Sequence, residues 1–125
     1  MRYIIDTHIL LWYLFDDDQL PENAEQAIEG DNEICVSIAS LWEIAIKQSI
    51  GKLNIDKSIF QIEEQCRFDD IGILPISAAD CECIKSLEKI HNDSFDRIII
   101  AKAKNDGYTI ITKDEKIKQY SVDTL

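Results

Sequence analysis

Short runs rich in β-branched residues alternate with longer segments of helical periodicity, and this alternation constrains the fold more than any other feature. The runs are RYIID at 2–6, EICVS at 33–37, IGILPI at 71–76 and YTIIT at 108–112. Strands that alternate with helical segments are typical of a parallel sheet with helical crossovers. We therefore predict an α/β fold with a central, mainly parallel sheet of four to five strands, the tail at 120–125 adding a short edge strand.

The helical segments are delimited by the spacing of apolar residues and by residues that begin or end helices. Predicted helices cover 7–15, a segment starting near Pro21, 37–50, 56–68, 77–90 and 94–105. The segment at 37–50 has the clearest core-facing stripe, and Gly51 follows it as a stop. Pro75 cannot donate a ladder hydrogen bond, so the third strand is the least regular of the four.

Length and composition favour one domain at residues 1–125. The apolar fraction of 46% is ordinary, and no compositional break suggests a linker. No apolar stretch is long enough to span a membrane, and Asp6 interrupts the N-terminus too early for a signal peptide. Cys35, Cys66, Cys81 and Cys83 match no common zinc module and are interpreted as buried or half-buried thiols. We therefore expect a cytoplasmic protein.

The charge balance is unusual for a nucleic-acid-binding chain. Twenty-four acids against thirteen Lys and Arg give a net charge of −11, whereas nucleic-acid binding usually relies on basic patches. An acidic surface can indicate solvation, a basic partner or a metal site, and composition does not choose among these. The run at 16–18 is interpreted as a solvated loop.

Acidic residues follow the strands at one edge of the predicted sheet. Asp6 comes directly after the first strand, and Asp114 lies just beyond the fourth. Glu43 and Asp96 lie near the starts of helices that begin at the same edge. Because ligands of open α/β sheets bind at the carboxyl ends of the strands, we expect these four carboxylates to converge.

Converging carboxylates need a counter-charge, because like charges a few ångströms apart raise one another's pKa. Hard oxygen ligands suit Mg²⁺ or Mn²⁺, and such an ion can acidify a water and hold a phosphate oxygen. We therefore expect metal-assisted hydrolysis of phosphodiester bonds. A catalytic triad has little support, because His8 and His91 have no nucleophile motif beside them.

Each of the four acids also has a structural interpretation. Asp6 can cap the helix that follows it, and Glu43 can form a capping box with Ser40. Asp96 in a first helical turn would interact favourably with the helix dipole. Asp114 can cap a short terminal helix. Both interpretations stay open for each residue.

Four segments together match a known pattern. They are IIDTHILLW at 4–12, VSIASLWEIAIK at 36–47, HNDSFDRIIIAKA at 91–103 and IITKD at 110–114. On these segments the chain resembles PIN-domain ribonucleases, specifically the VapC-like toxins of bacterial type II toxin–antitoxin systems. The resemblance covers nearly the whole length and implies a three-layer α/β/α PIN-like fold.

The resemblance implies a catalytic, metal-coordinating quartet of Asp6, Glu43, Asp96 and Asp114. In such enzymes these acids hold Mg²⁺ or Mn²⁺, and an activated water attacks the RNA phosphodiester. Auxiliary or ligand-orienting roles are implied at Asp93, Thr7, Ser37 and Thr112.

Three residues of the third segment need separate comment. Arg97 is expected either to contact substrate phosphate or to make a structural ion pair. His91 is interpreted as a packed, hydrogen-bonded residue in preference to a base. Ser94 stands where relatives usually carry Pro, and both residues suit the start of a helix.

The resemblance also implies protein partners. A cognate antitoxin would cross the toxin and present a basic residue to the acids, and a net charge of −11 suits such a partner. Family members commonly dimerise, so a homodimer is expected. Trp12, Leu14, Phe15 and Trp42 either line the antitoxin groove or belong to the core.

Other classes fit less well. A haloacid-type phosphatase needs a second acid at position 8, where this chain has His8, and a receiver domain needs a phosphoacceptor where the second strand ends in Ser37. A PIN-fold RNA-processing nuclease outside toxin–antitoxin systems and a non-catalytic PIN-like binding module remain the alternatives.

Overall fold

The chain alternates strands and helices over its whole length. The computed structural model describes residues 1–125. Its elements are β1 (Arg2–Ile5), α1 (Thr7–Leu14), α2 (Glu22–Glu29), β2 (Glu33–Ser37), α3 (Ile38–Ser49), α4 (Ile59–Phe68), β3 (Ile71–Leu74), α5 (Ala78–Ile84), α6 (Ser94–Asp106) and β4 (Thr109–Ile111), followed by a 3₁₀ turn at Ile117–Gln119.

The four strands form one sheet in the order β3-β2-β1-β4, and every neighbouring pair is parallel. The chain steps outward from β1 through β2 to β3 and then crosses back to place β4 on the other side of β1. The strand order therefore reverses between β1 and β4. In open α/β sheets the crevice at such a reversal is where ligands bind.

Helices cover both faces of the sheet. On one face, alternate strand residues such as Ile5 and Val36 pack against α1, α2, α3 and α4. On the other face, Ile4 and Ile110 pack against α6, with Leu87 beside them. Strands buried on both faces explain why the four runs are almost continuously apolar. The predicted three-layer α/β/α fold with a central parallel sheet is confirmed.

Two helix boundaries differ from those expected from sequence. The helix predicted at 77–90 ends at Ile84, because the following amides bond to carbonyls three residues back and Leu87 turns into the core. The helix predicted from residue 56 begins at Ile59, because Ser58 and Gln61 form a reciprocal capping box there.

The edges of the sheet are shorter than expected. β3 stops at Leu74, immediately before Pro75, which has no amide to continue the ladder. The tail predicted as an edge strand makes a single parallel bridge, between Ile110 and Thr124.

The predicted solvated loop at 16–18 is exposed. All four cysteines are free. Cys35 and Cys66 are buried and Cys83 is half-buried, whereas Cys81 is exposed, which corrects the expectation for that residue. Burial raises the pKa of Cys66 to about 11 and keeps it a neutral thiol. None of the helices combines the length and hydropathy needed to cross a bilayer.

Candidate metal centre

Asp6 lies where β1 ends and α1 begins, at the reversal of strand order. Its Oδ1 accepts a hydrogen bond from the Ile9 amide at 3.0 Å, so it does cap α1. Its Oδ2 accepts a hydrogen bond from the Thr112 hydroxyl. Only 3% of Asp6 is exposed. Burial raises its pKa, although the hydrogen bonds from Thr112 and Ile9 act in the opposite direction.

Asp114 is connected to Asp6 through Thr112. The Thr112 hydroxyl accepts a hydrogen bond from the Asp114 amide at 2.9 Å while it donates to Asp6. Asp114 Oδ1 accepts from the Lys116 amide at 2.7 Å, which fits the predicted cap of a terminal turn. Burial opposes ionisation of Asp114, but hydrogen bonds from His91 and the Lys116 amide outweigh it and lower its pKa.

Glu43 projects from α3 towards the start of α1. Its Oε1 lies 2.6 Å from the Thr7 hydroxyl, which is also 2.9 Å from the Ser40 hydroxyl. Its Oε2 pairs with Lys47 Nζ at 2.9 Å. The side chain is 6% exposed. Thr7, the residue that follows Asp6, therefore fixes one carboxylate oxygen of Glu43.

The capping box predicted for Ser40 and Glu43 is wrong. α3 begins at Ile38, and the Ser37 hydroxyl caps it by accepting the Ala39 amide at 3.0 Å. Ser40 therefore lies inside the helix, where its hydroxyl meets Thr7. Ser37 makes no hydrogen bond to the quartet, so it can affect Glu43 only by fixing the start of α3.

Asp96 lies in the first turn of α6. Asp93 caps this helix, because its Oδ1 accepts the Phe95 amide at 2.8 Å and the Asp96 amide at 3.2 Å. Burial and the negative charges of Asp93, Asp6 and Glu43 raise the pKa of Asp96 to about 7. The favourable helix dipole expected for a first-turn acid is thus outweighed by burial and neighbouring charge.

His91 stands between two acids of the predicted quartet. Its Nε2 lies 2.9 Å from Asp96 Oδ2 and 3.0 Å from Asp114 Oδ2. The ligand atoms of these three residues all lie within 4.8 Å of one another. The interpretation of His91 as a packed, hydrogen-bonded residue agrees with this geometry, but the sequence did not indicate that its partners are the quartet itself. The motif H-x-D-x-F-D-R carried that signal only as a resemblance.

The structure brings all four predicted acids to one edge of the sheet. Thr112 links Asp6 to Asp114, His91 links Asp114 to Asp96, and the charges of Asp6 and Glu43 act on Asp96. Asp6 and Glu43 lie outside the tight group around His91.

The donor set fits a hard divalent cation. Its members are carboxylates, and the one basic side chain paired with a quartet acid in a salt bridge, besides His91, is Lys47. Burial first, and neighbouring negative charge second, raise the pKa values of Asp6 and Asp96, and a bound cation would offset both effects. Carboxylate oxygens are the ligands that Mg²⁺ and Mn²⁺ prefer.

A cleft of about 240 Å³ opens beside the acids and is lined by Asp6, His8, Trp12, Lys113 and Asp114. The Lys113 ammonium lies 5.9 Å from the centre of the Trp12 ring, and the His8 ring lies 5.7 Å from the same ring. Lys113 is exposed and makes no ion pair. The cleft therefore offers an aromatic surface and a free cation next to two of the acids.

Arg97 makes no ion pair, so that predicted alternative is wrong. Its guanidinium donates to the carbonyls of Ile84, Glu88 and His91 and to the Tyr120 hydroxyl. These contacts hold together the turn between α5 and α6. A substrate contact by Arg97 would have to compete with them.

The chain is similar in sequence to a known protein family and to a curated protein. The family model described as PIN domain matches residues 3–123. Ribonuclease VapC22 of Mycobacterium tuberculosis is 27% identical over 121 residues, covering 94% of this chain and 90% of that protein.

Solved structures share the fold. VapBC2 from Rickettsia felis, bound to a DNA fragment from its promoter, superposes with a TM-score of 0.71 at 19% identity and covers 100% of this chain and 98% of that one. A toxin–antitoxin complex from Klebsiella pneumoniae gives a TM-score of 0.64 at 20% identity, with 98% and 95% covered. At these identities the likeness establishes the architecture alone.

Proposed function

This chain belongs to the PIN-domain family, and we propose that it is a metal-dependent endoribonuclease acting as the toxin of a toxin–antitoxin pair. The observation that carries the proposal is the convergence of Asp6, Glu43, Asp96 and Asp114 at the reversal of strand order. The name of the relative VapC22 supports RNA as the substrate class.

In this proposal the four carboxylates hold Mg²⁺ or Mn²⁺. The ion supplies positive charge to the phosphodiester and lowers the pKa of a water molecule. The chain's own contribution is to hold the acids still: Thr112 orients Asp6 and Asp114, and Thr7 orients Glu43.

Two helix caps act further from the reaction. Asp93 fixes the first turn of α6 and so places Asp96, and it adds negative charge as an auxiliary acid. Ser37 fixes the first turn of α3, which carries Glu43. Arg97 is assigned to hold the turn that carries His91, in place of a phosphate contact.

The cleft beside the acids suits single-stranded RNA. Unstacked bases of RNA stack on aromatic side chains, and Trp12 is the aromatic residue that lines the cleft. Lys113 lies beside it with no acidic partner and can meet a backbone phosphate. This local cation offers one phosphate contact on a chain whose net charge of −11 otherwise disfavours an RNA substrate.

The partner we propose is a basic antitoxin segment. A cleft of about 640 Å³ is bordered by α1, α2 and α4. Its acids are Asp16, Asp17, Asp18, Glu22, Glu25, Glu29 and Asp69. Of the apolar residues considered for the groove, Leu14 lines this cleft but is itself buried in the core, whereas Trp42 lies elsewhere, on α3.

We also propose a homodimer that uses an exposed stripe of α3. Ile38, Trp42, Ile46 and Ile50 are spaced four residues apart and are 38 to 59% exposed. The Trp42 ring packs edge-on against Phe95 of α6 at 5.1 Å. A row of large apolar side chains on one helix face is costly in water. The stripe adjoins Glu43, so dimerisation would set two acid clusters near one another.

The free cysteines suit a reducing compartment, and we propose that the protein acts in the cytoplasm, where its RNA substrates and antitoxin are made.

The experiment that tests the function is sequencing of RNA 5′ ends after induced expression. The wild type should generate new 5′ ends and arrest growth, whereas Asp6→Asn should do neither. Asn keeps an oxygen for the Ile9 amide, so this variant is expected to fold. Asp31→Asn, an exposed acid away from the site, should behave as the wild type. The absence of new 5′ ends with the wild type, or their persistence with Asp6→Asn, would refute the proposal.

A further inference from the structure

His91 is held in place by contacts that do not involve the acids it separates. Its backbone amide donates to the Tyr120 hydroxyl at 2.7 Å, and its carbonyl accepts from Arg97 Nη1 at 3.4 Å. Its ring Nδ1 accepts a hydrogen bond from the Asp93 amide at 3.3 Å. Tyr120 is 4% exposed and receives a second hydrogen bond, from Arg97 at 3.3 Å. The imidazole is therefore aimed by the chain around it.

These contacts decide which ring nitrogen carries the proton. An amide N–H that points at Nδ1 requires a lone pair on that atom, so the proton of the neutral ring lies on Nε2. Nε2 faces Asp96 Oδ2 at 2.9 Å and Asp114 Oδ2 at 3.0 Å. Nε2–H is thus a hydrogen-bond donor to Asp114 and lies within ion-pair distance of Asp96, and the ring is only 12% exposed.

The same contacts argue against His91 as a metal ligand. The three groups are close enough to share an ion, since their ligand atoms lie within 4.8 Å of one another. Ligation through Nε2 would need a lone pair on that atom and would move the proton to Nδ1. There it would face the Asp93 amide, donor against donor.

We propose that His91 is a positioning residue whose Nε2–H holds the Asp96 and Asp114 carboxylates together in the metal-free protein and competes with the divalent cation for them. The inference rests on the metal centre proposed above and adds a device that the quartet alone does not contain. The imidazole offsets repulsion between the two acids before an ion arrives. A cation held by both acids would have to replace the hydrogen bond of His91 to Asp114 and its close contact with Asp96.

Competition predicts that the removal of His91 strengthens metal binding. The loss of a ligand would weaken metal binding, and the loss of a purely structural residue would leave it unchanged. Removing the donor leaves two unrelieved carboxylates, which attract a cation more strongly. Charge-assisted hydrogen bonds are strong enough for their loss to change an equilibrium about tenfold. His91→Ala should therefore bind Mn²⁺ about tenfold more tightly than the wild type.

Calorimetric titration of the purified full chain with Mn²⁺ measures this directly. Asn92→Ala is the matched control, because Asn92 is the exposed neighbour of His91 in the same turn, and it should bind as the wild type does. Weaker binding by His91→Ala would mean that the ring assists the ion, by ligation or by holding the acids in place, and unchanged binding would assign it as structural. Either result overturns the inference while leaving the metal centre intact, whereas binding in neither protein overturns both.

A second measurement is made on the wild type and does not depend on the folding of a His91 variant. The chain has two histidines, so ¹⁵N signals of the rings can be assigned by comparison with His8→Gln. In metal-free protein the His91 ring should carry its proton on Nε2 with Nδ1 unprotonated. Addition of Mg²⁺ should shift these signals while the proton stays on Nε2. A proton on Nδ1, before or after Mg²⁺, would contradict the inference.

Discussion

Asp96 is the residue at which the unbalanced charge of the site has the clearest thermodynamic consequence. Burial and the neighbouring acids raise its pKa to about 7 in the folded protein, from an ordinary value of 3.8. Between these two pH values the folded chain binds a proton that the unfolded chain has lost. The metal-free protein must therefore lose stability as the pH rises from about 4 to about 7. Asp114 and Asp80 have lowered pKa values, so their titration changes the stability only at pH values below this range.

The first prediction follows from this loss of stability with rising pH. In the presence of a chelator, Asp96→Asn should be more stable than the wild type at pH 8, by roughly 1–3 kcal/mol, because the amide carries no charge to bury. At pH 4 the two proteins should differ little. Urea unfolding at both pH values measures the difference, with Asp31→Asn as an exposed control. If the wild type and Asp96→Asn lost stability equally as the pH rises, the buried charge of Asp96 would not be what destabilises the folded protein.

Thr112 is predicted to matter for both structure and metal affinity, since its hydroxyl serves Asp6 and Asp114 at once. Thr112→Val keeps the shape of the side chain but removes both hydrogen bonds. We expect about 1–2 kcal/mol lower stability and about tenfold weaker Mn²⁺ binding. The control is Thr109→Val on β4, the strand that directly precedes Thr112, and it should change neither quantity. Unaltered Mn²⁺ affinity in Thr112→Val would exclude an orienting role.

At the scale of single residues, the sequence predicts the acids better than the groups around them. Asp6 could be found because it directly follows a strand, and strand ends share an edge of a parallel sheet. The role of His91 could not, because it depends on a turn braced by Arg97 and on Tyr120, which lies 29 residues away. The capping box considered for Ser40 and Glu43 does not form, because α3 begins at Ile38 with Ser37 as its cap, as the helix predicted from residue 37 implies.

At the scale of elements, α5 and α6 are joined by a buried ion pair. Lys102 Nζ lies 2.9 Å from Asp80 Oδ2 and 3.3 Å from Asp106 Oδ2. Asp80 is 1% exposed, whereas the Asp106 side chain is 46% exposed. Asn105 donates a further hydrogen bond to Asp80. The network holds α6 against α5, and α6 carries Asp96.

The third prediction separates the two acids of this network. Asp80→Ala leaves the Lys102 ammonium buried without its closest partner and should cost about 3 kcal/mol of unfolding free energy. Asp106→Ala removes only an exposed partner and should cost about 0.5 kcal/mol. Urea denaturation of both variants gives the comparison. Equal costs would mean that burial does not distinguish the two pairs.

The order and type of the elements follow from the sequence because the strands are β-branched and the helices carry regular apolar stripes. The ends of elements follow less well. α5 ends early because Leu87 reaches the core and Arg97 binds the carbonyls of the turn, which are tertiary contacts. α4 begins late because Ser58 offers a better cap than the acid at residue 56. The spacing of apolar residues along the chain does not reveal the contacts that end α5 or the cap that begins α4.

At the scale of the whole molecule, the exposed large apolar side chains include a row along α3, formed by Ile38, Trp42, Ile46 and Ile50. The fourth prediction is that Ile46→Glu converts a dimer into a monomer, because a carboxylate would be buried between two stripes. Phe68→Glu is the control, since Phe68 is 89% exposed but lies on α4. Light scattering coupled to gel filtration reports the mass of each protein. A wild type that is monomeric at micromolar concentration, or a dimeric Ile46→Glu, would exclude this interface.

The acidic residues also lie in two separate groups, which the net charge of −11 does not show. One group surrounds the proposed metal site, and the other lines the large cleft bordered by α1, α2 and α4. Lys113 lies in the small cleft with the first group and is absent from the second. The molecule thus presents an edge suited to a metal and RNA and a separate face suited to a basic protein segment.

Cleavage of RNA by the purified protein, with Mn²⁺ supplied or removed, tests most directly whether the four acids form one metal-dependent site. The wild type should cleave RNA with Mn²⁺ and stop when a chelator is added. Asp6→Asn should cleave at least a hundredfold more slowly, because the substitution removes the charge of the Asp6 carboxylate from the site. Cleavage that persists in the chelator, or equal rates for the wild type and Asp6→Asn, would contradict this account.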